Sequence, residues 1–76
     1  MRRCDDAFRR AVGARLFALR KARGYSLSDV QERADISRVN LWQIEKGQTA
    51  PGATIVAALC RLYGVSADWV LFGEAR

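Results

Sequence analysis

The stretch S-L-S-D-V-Q-E-R-A-D-I-S-R-V-N-L-W-Q-I-E-K-G, residues 26–47, predicts two short helices joined by a tight turn. Ser26 suits the N-cap of the first helix, with Asp29 three residues later as a short version of the capping box. Asp35 falls where the turn needs a residue at positive φ, a conformation that Asp tolerates well. Ser37 suits the N-cap of the second helix. This pattern fits either a helix-turn-helix or a plain helical hairpin in a core.

The outward face of the second helix separates these two interpretations. At 100° per residue, Leu41 and Ile44 face inward, and Arg38 lies between the two faces in the first turn. The residues that face outward are Val39, Trp42, Gln43 and Lys46. Arg and Gln side chains are suited to bidentate contacts with base edges, and an exposed Trp on such a face is unusual without a partner. The face therefore favours DNA recognition over a packed hairpin.

The chain resembles the Cro/cI-type helix-turn-helix regulators, also called the XRE family, over about residues 12–73. Three stretches carry the resemblance: V-G-A-R-L-F-A-L-R-K-A-R-G, then residues 26–47 with their I-E-K-G ending, then P-G-A-T-I-V-A-A-L-C-R-L-Y-G-V-S-A-D-W-V-L-F-G. Their order and spacing are more specific than any single stretch. The resemblance implies a compact all-α domain of five helices with the lambda-repressor-like fold, and it implies a double-stranded DNA partner.

The resemblance also implies a contact map in which the third helix of the domain enters the major groove. Base contacts fall on Arg38, Val39 and Gln43, with Trp42 at the edge. Phosphate contacts fall on Ser26, Ser28, Asn40, Lys46, Gln48 and Thr49. The chain departs from the family's pattern at Leu27, where Gln is frequent, at Gln31, where Ala is usual, and at Asp35, where Gly is usual.

The whole chain is expected to form a single domain, residues 1–76, with helices over about residues 5–23, 27–34, 38–46, 53–63 and 67–72. Residues 1–5 are expected to be loose. Phe8, Val12, Leu16 and Leu19 recur at helical spacing and predict the core stripe of the first helix. Phe17 lies off that stripe, where the family usually has a polar residue; contact with a partner and local packing onto the N-terminal segment both remain open.

Two charged residues fall on the core side of their helices. Arg20 follows Leu16 by four residues, and Glu45 follows Leu41 by four residues. Opposite charges that both point inward are most economically paired. The resemblance implies the same structural ion pair, between the first and third helices.

The net charge of +5 suits a polyanionic partner. Residues 1–23 hold eight Arg or Lys and two Asp, whereas the remaining residues hold five Arg or Lys and six Asp or Glu. A solvated face is an equal alternative for the basic residues at the start of the chain. No apolar run approaches transmembrane length and no signal peptide is visible, so we expect no membrane partner and a cytoplasmic, nucleoid-associated protein of bacterial or phage type.

The composition argues against catalysis and against metal binding. The chain has no histidine and two cysteines, Cys4 and Cys60, which cannot complete a tetrahedral zinc site or supply a Cys–His nucleophile. Cys60 lies in an apolar run and is expected to be a buried core residue. We therefore expect no enzyme activity, no metal, no cofactor and no small-molecule ligand.

The apolar run of Trp69, Val70, Leu71 and Phe72 exceeds what one helix can turn toward its own core. Val70 and Trp69 are expected to face inward, and Leu71 and Phe72 to face outward as part of a homodimer interface that includes Trp69. The alternative is that Leu71 and Phe72 fold back onto the first helix.

The preferred function is a sequence-specific DNA-binding transcription regulator, a repressor that recognises a palindromic operator as a dimer. The alternative is an antitoxin-like or other protein-interaction module on the same fold.

Overall fold

The computed structural model describes residues 2–74, with side chains from Asp6 onward. The described chain consists of five helices: α1 (Arg2–Arg23), α2 (Leu27–Ala34), α3 (Arg38–Glu45), α4 (Ala53–Tyr63) and α5 (Ala67–Phe72). The expected all-α, five-helix architecture is therefore confirmed. The predictions about the side chain of Cys4 lie outside the described residues, and the expectation of a loose segment over residues 1–5 stays a prediction.

Two helix bounds differ from the expected ones. α1 begins at Arg2, three residues before the expected start, since nothing in Arg2–Cys4 breaks a helix. α3 ends at Glu45 rather than residue 46, because Lys46 occupies its C-cap position. The N-caps of α3 and α5 are Ser37 and Ser66, whose hydroxyls accept hydrogen bonds from the backbone three residues later.

α1 is the helix on which the others are assembled, since it packs against α3, α4 and α5. The core cluster contains Val12, Leu16 and Leu19 of α1. It is completed from the other helices and the turn by Val30, Ile36, Leu41, Ile44, Leu59, Tyr63 and Val70. The inward stripe predicted for α1 is thus present from Val12 onward.

The prediction that Phe8 belongs to this stripe is wrong, since its side chain is 37% exposed. Phe8 lies one turn before Val12, near the N-terminal end of α1. This end of the helix contacts the segment around Gly47, where the Arg9 Nε donates a hydrogen bond to the Gly47 carbonyl oxygen. Cys60 is also only half-buried beside the core, not enclosed in it. Partial burial raises the pKa of its thiol, since desolvation disfavours the thiolate.

Arginines of α1 bind the C-terminal ends of three other helices. The Arg9 Nε reaches the Gly47 carbonyl after α3, the Arg15 NH1 reaches the Val70 carbonyl of α5 at 2.8 Å, and Arg23 reaches the Tyr63 carbonyl of α4. Cations at helix C-termini satisfy carbonyls that lack helical partners and complement the helix dipole. A large part of the basic charge of α1 therefore holds the fold together.

Candidate nucleic-acid interface

The start of α2 is fixed by a complete capping box. The Asp29 backbone N–H donates to the Ser26 Oγ at 3.0 Å, and the Ser26 backbone N–H donates to the Asp29 Oδ2 at 2.9 Å. The hydrogen bond that the Ser26 backbone N–H donates, followed by that of the Ser26 hydroxyl, lowers the pKa of the Asp29 carboxyl. The backbone N–H groups of Leu27 and Ser28 belong to the first turn of α2 and so have no helical acceptor, which is the usual setting for an anion contact.

The turn between α2 and α3 depends on Asp35. Its φ is 58°, and it is the only non-glycine residue at positive φ among residues 2–74. Its backbone N–H donates to the Gln31 carbonyl at 2.9 Å, which ends α2. The prediction of positive φ at this position is confirmed, and the turn sets the position of α3 relative to α2.

α3 presents a mixed apolar and polar face to solvent. Leu41 and Ile44 are fully buried, whereas Val39 is 67% exposed and Trp42 is 44% exposed. Gln43 is half-buried, so its side chain lies nearer the side of the face than its centre. An amide at the side of the face remains within reach of a groove wall, and its base contact stays a prediction.

Arg38 lies at the N-terminal end of this face. It is exposed, and its NH1 donates to the Ser28 Oγ at 3.3 Å, a contact that joins the start of α3 to the start of α2. Among the other predicted contact residues, Ser26, Ser28, Lys46 and Gln48 are exposed, and Asn40 and Thr49 are half-buried. The structure brings Arg38 and Ser28 together, and all of these phosphate and base contacts remain predictions.

Two concavities flank Trp42. The larger, about 730 Å³, lies between the C-terminal part of α1, the start of α2 and the first turns of α3, where Arg38 and Val39 form one wall. The smaller, about 350 Å³, lies between α1 and α3 and includes Phe17 and Lys46. Trp42 lines both, so the exposed face of α3 is continuous with a surface on α1.

Arg20 and Glu45 form a bidentate ion pair behind this surface. The Arg20 Nε donates to the Glu45 Oε2 at 2.8 Å and the Arg20 NH2 to the Glu45 Oε1 at 2.9 Å, while NH1 donates to the Tyr25 carbonyl at 2.9 Å. Their side chains are only 9% and 4% exposed. The hydrogen bonds to Glu45 raise the pKa of the Arg20 guanidinium, and the pair joins α1 to α3.

Sequence reasoning missed two residues of this surface. Lys21 and Tyr25 both line the larger concavity. The Arg33 guanidinium lies 4.9 Å from the centre of the Tyr25 ring, a cation–π contact. The spacing of Lys21, four residues after the off-stripe Phe17, was the available signal, since residues four apart share a helix face.

The described residues contain no group of three or more His, Cys, Asp or Glu that could hold a metal ion. Within the same part of the chain, no helix combines the length and apolarity that crossing a membrane requires.

Residues 11–70 match the family described as the helix-turn-helix domain. The chain belongs to the helix-turn-helix domain family. Its fold is similar to the crystal structure of ClgR, the clp gene regulator of Corynebacterium glutamicum, with 30% sequence identity and a TM-score of 0.77. That alignment covers 84% of this chain and 68% of ClgR. A comparison with curated proteins gave no match.

Proposed function

We propose that this helix-turn-helix domain is a sequence-specific DNA-binding transcription regulator, a repressor that binds a palindromic operator as a homodimer. The observation that carries the proposal is the exposed face of α3, where Arg38, Val39 and Trp42 project between the capped start of α2 and a basic stretch of α1. A helix presented in this way enters the major groove with its N-terminal end first.

The roles of the side chains follow from their chemistry. Arg38 is suited to a bidentate contact with a guanine, Gln43 to an adenine, and Val39 and Trp42 to thymine methyl groups or sugar carbons. The phosphate contacts are assigned to exposed or half-exposed groups on either side of α3, which are Ser26, Ser28, Asn40, Lys46, Gln48 and Thr49. Phosphate contacts of this kind set the register on the duplex, and the base contacts supply the specificity.

The dimer is assigned to α5. Phe72 is 60% exposed, and Trp69 is half-buried beside it. Leu71, which the sequence predicts to face outward, is half-buried and packs against the core, because α5 packs against both α1 and α4. The interface therefore depends mainly on Phe72, with the exposed parts of Trp69 and Leu71 beside it.

A two-fold dimer uses the same patch on both copies and places two α3 helices on one side of the duplex. Half-sites one helical turn apart, about 34 Å, then make the operator palindromic. Occupancy of an operator that overlaps a promoter is sufficient to block transcription, which is the basis for proposing a repressor. A DNA partner also places the protein at the nucleoid, in the cytoplasm.

The test is a selection of bound duplexes from a random library, followed by binding titrations of the most enriched duplex over a salt series. Neutralising several phosphates releases counterions, so we expect log K to fall steeply and linearly with log salt, by about 0.9 per phosphate contacted. Failure to enrich any sequence, together with binding that does not respond to salt, would contradict the proposal.

The second candidate function is an antitoxin-like module that binds a protein partner. Phe17 and Trp42 favour it, since they are 45% and 44% exposed on adjoining parts of one surface. The charge of that surface favours DNA, because Lys21, Arg38 and Lys46 all lie on it. The salt titration separates the two candidates, because a mainly apolar protein interface lacks the counterion release that DNA binding requires.

A further inference from the structure

Phe17 is an exposed aromatic residue that the contact map described above leaves without a role. Its side chain is 45% exposed and lies outside the core cluster. A single exposed apolar residue is ordinary, but Phe17 adjoins exposed Trp42 across a cleft, and Trp42 in turn adjoins exposed Val39. A contiguous exposed apolar surface of this kind is typical of a contact site.

The cleft between Phe17 and Trp42 is lined by residues of α1, of α3 and of the α3 C-cap. Its lining consists of Ala14, Phe17, Arg20, Trp42, Glu45 and Lys46. The Arg20 and Trp42 side chains also line the larger concavity, which leads to Lys21 and the start of α2. A ligand strand lying across the exposed face of α3 would therefore cross this cleft as well.

Cations are held close to both rings. The Lys21 Nζ lies 5.9 Å and the Arg20 Cζ 5.4 Å from the centre of the Phe17 ring, and the Lys46 Nζ lies 5.7 Å from the centre of the Trp42 ring. Glu45 is the only acid among the described residues that line either concavity, and Arg20 neutralises it. The surface therefore alternates aromatic rings with cations and offers no uncompensated negative charge.

A nucleic-acid backbone has the complementary pattern, because apolar sugar faces alternate with anionic phosphates along it. We propose that Phe17 and Lys21 form a DNA-backbone contact on α1, in which the Phe17 ring packs against a deoxyribose and Lys21 pairs with a neighbouring phosphate. The inference rests on the proposed function and extends the interface from the helix-turn-helix onto α1. A sugar has the same apolar face whatever its base, so the contact adds affinity without sequence preference.

The experiment compares four variants with the parent on two duplexes, the selected operator and an unrelated sequence, over a salt series. Phe17→Ala should weaken binding to both duplexes by roughly tenfold, because the exposed half of the Phe side chain is no longer there to be buried against the DNA. The salt slope should not change, because Phe carries no charge. Phe17→Leu should retain most of the affinity, whereas Lys21→Ala should reduce the salt slope by about one.

Phe8→Ala is the matched control, since Phe8 is a similarly exposed Phe of α1 that lines neither concavity. It should bind both duplexes as the parent does. Thermal melting of each variant shows that its fold is intact at the assay temperature. If Phe17→Ala melts too low, Phe17→Gln replaces it, with the same roughly tenfold loss expected.

Three results would overturn the inference. If the parent binds DNA and Phe17→Ala binds both duplexes as tightly as Phe8→Ala, the contact is absent although the proposed function stands; a protein segment is then the better occupant of the cleft. If Phe17→Ala changes the selected sequence, Phe17 contacts a base rather than the backbone. If the parent enriches no duplex, the proposed function and this inference fail together.

Discussion

The backbone of Gly13 in α1 lies directly against the carbonyl oxygen of Ile44 in α3. A Cβ at Gly13 would overlap that oxygen and would lie 2.8 Å from the carbonyl oxygen of Glu45. The close crossing of α1 and α3 brings Arg20 within hydrogen-bonding distance of Glu45. A glycine inside a helix, unfavourable by propensity, is therefore required here by packing.

Gly13→Ala is expected to destabilise the domain even though Ala is the better helix former. The gain in helix propensity is about 1 kcal/mol, but the overlap is with backbone atoms, which cannot rotate away, so we expect a net loss of about 2 kcal/mol. Chemical denaturation measures the change. Gly52→Ala is the control, because a Cβ at Gly52 meets nothing within 4 Å and only a weak N-cap effect of about 0.5 kcal/mol is expected. Equal losses for the two variants would contradict the packing argument.

The Arg20–Glu45 pair is expected to behave as a buried pair. Arg20→Ala should cost about 3–5 kcal/mol, because it leaves the Glu45 carboxylate buried without a partner. The double variant Arg20→Ala, Glu45→Ala should lose much less than the sum of Arg20→Ala and Glu45→Ala, since it strands neither charge. A double-mutant cycle by denaturant unfolding measures the coupling, and additive losses would show that the pair contributes little.

Tyr63 is a buried phenol whose hydroxyl has no hydrogen-bond partner among the described residues. Burial raises the pKa of this hydroxyl to about 12. Between pH 10 and pH 12 the phenol ionises in the unfolded chain but stays mainly neutral in the folded one. The free energy of unfolding therefore falls as the pH rises through this window.

Tyr63→Phe should therefore leave stability at pH 7 unchanged or increase it by up to about 1 kcal/mol, because it removes an unsatisfied polar atom. The difference in the free energy of unfolding between Tyr63→Phe and the parent should be larger at pH 11.5 than at pH 9, as measured by urea unfolding at both pH values. An advantage that stays constant with pH would mean that the folded phenol titrates normally.

The sequence predicts correctly those features of the fold that depend on residues close to each other in the chain. The caps at Ser26 and Ser37 and the turn at Asp35 are set by neighbouring residues, and the structure shows all three as expected. Phe8 fits the same periodicity as the core residues but lies outside the core cluster, which periodicity alone does not reveal.

The basic charge of α1 shows the same limit at the candidate site. The sequence assigns no role to Arg15 or Arg23, and in the structure both donate to carbonyl oxygens near helix C-termini. That role depends on where α4 and α5 pack, which is tertiary information. The position of Phe17 beside Trp42 likewise follows from the crossing of α1 and α3 at Gly13 rather than from any motif.

The homodimer proposed on α5 predicts a clear effect of charge at Phe72. Phe72→Glu places a carboxylate in an apolar contact that the two-fold axis repeats, so we expect a predominantly monomeric protein at micromolar concentrations where the parent is dimeric. Sedimentation velocity measures the two states. Phe8→Glu, at another exposed Phe, should leave the dimer intact. A monomeric parent, or a Phe72→Glu dimer as tight as the parent's, would exclude this interface.

The central claim, that α3 recognises base sequence, is tested most directly by selecting bound duplexes with the parent, with Arg38→Ala and with Lys46→Ala. Arg38→Ala should lose about 1–3 kcal/mol on the parent's best site and relax the preference at one base pair, expected to be a guanine. Lys46→Ala should weaken binding to all sequences alike and reduce the salt slope by about one, as a phosphate contact does. If Arg38→Ala instead selects the same site as the parent with undiminished preference at every position, α3 does not recognise bases through Arg38 and the proposed contact map is wrong.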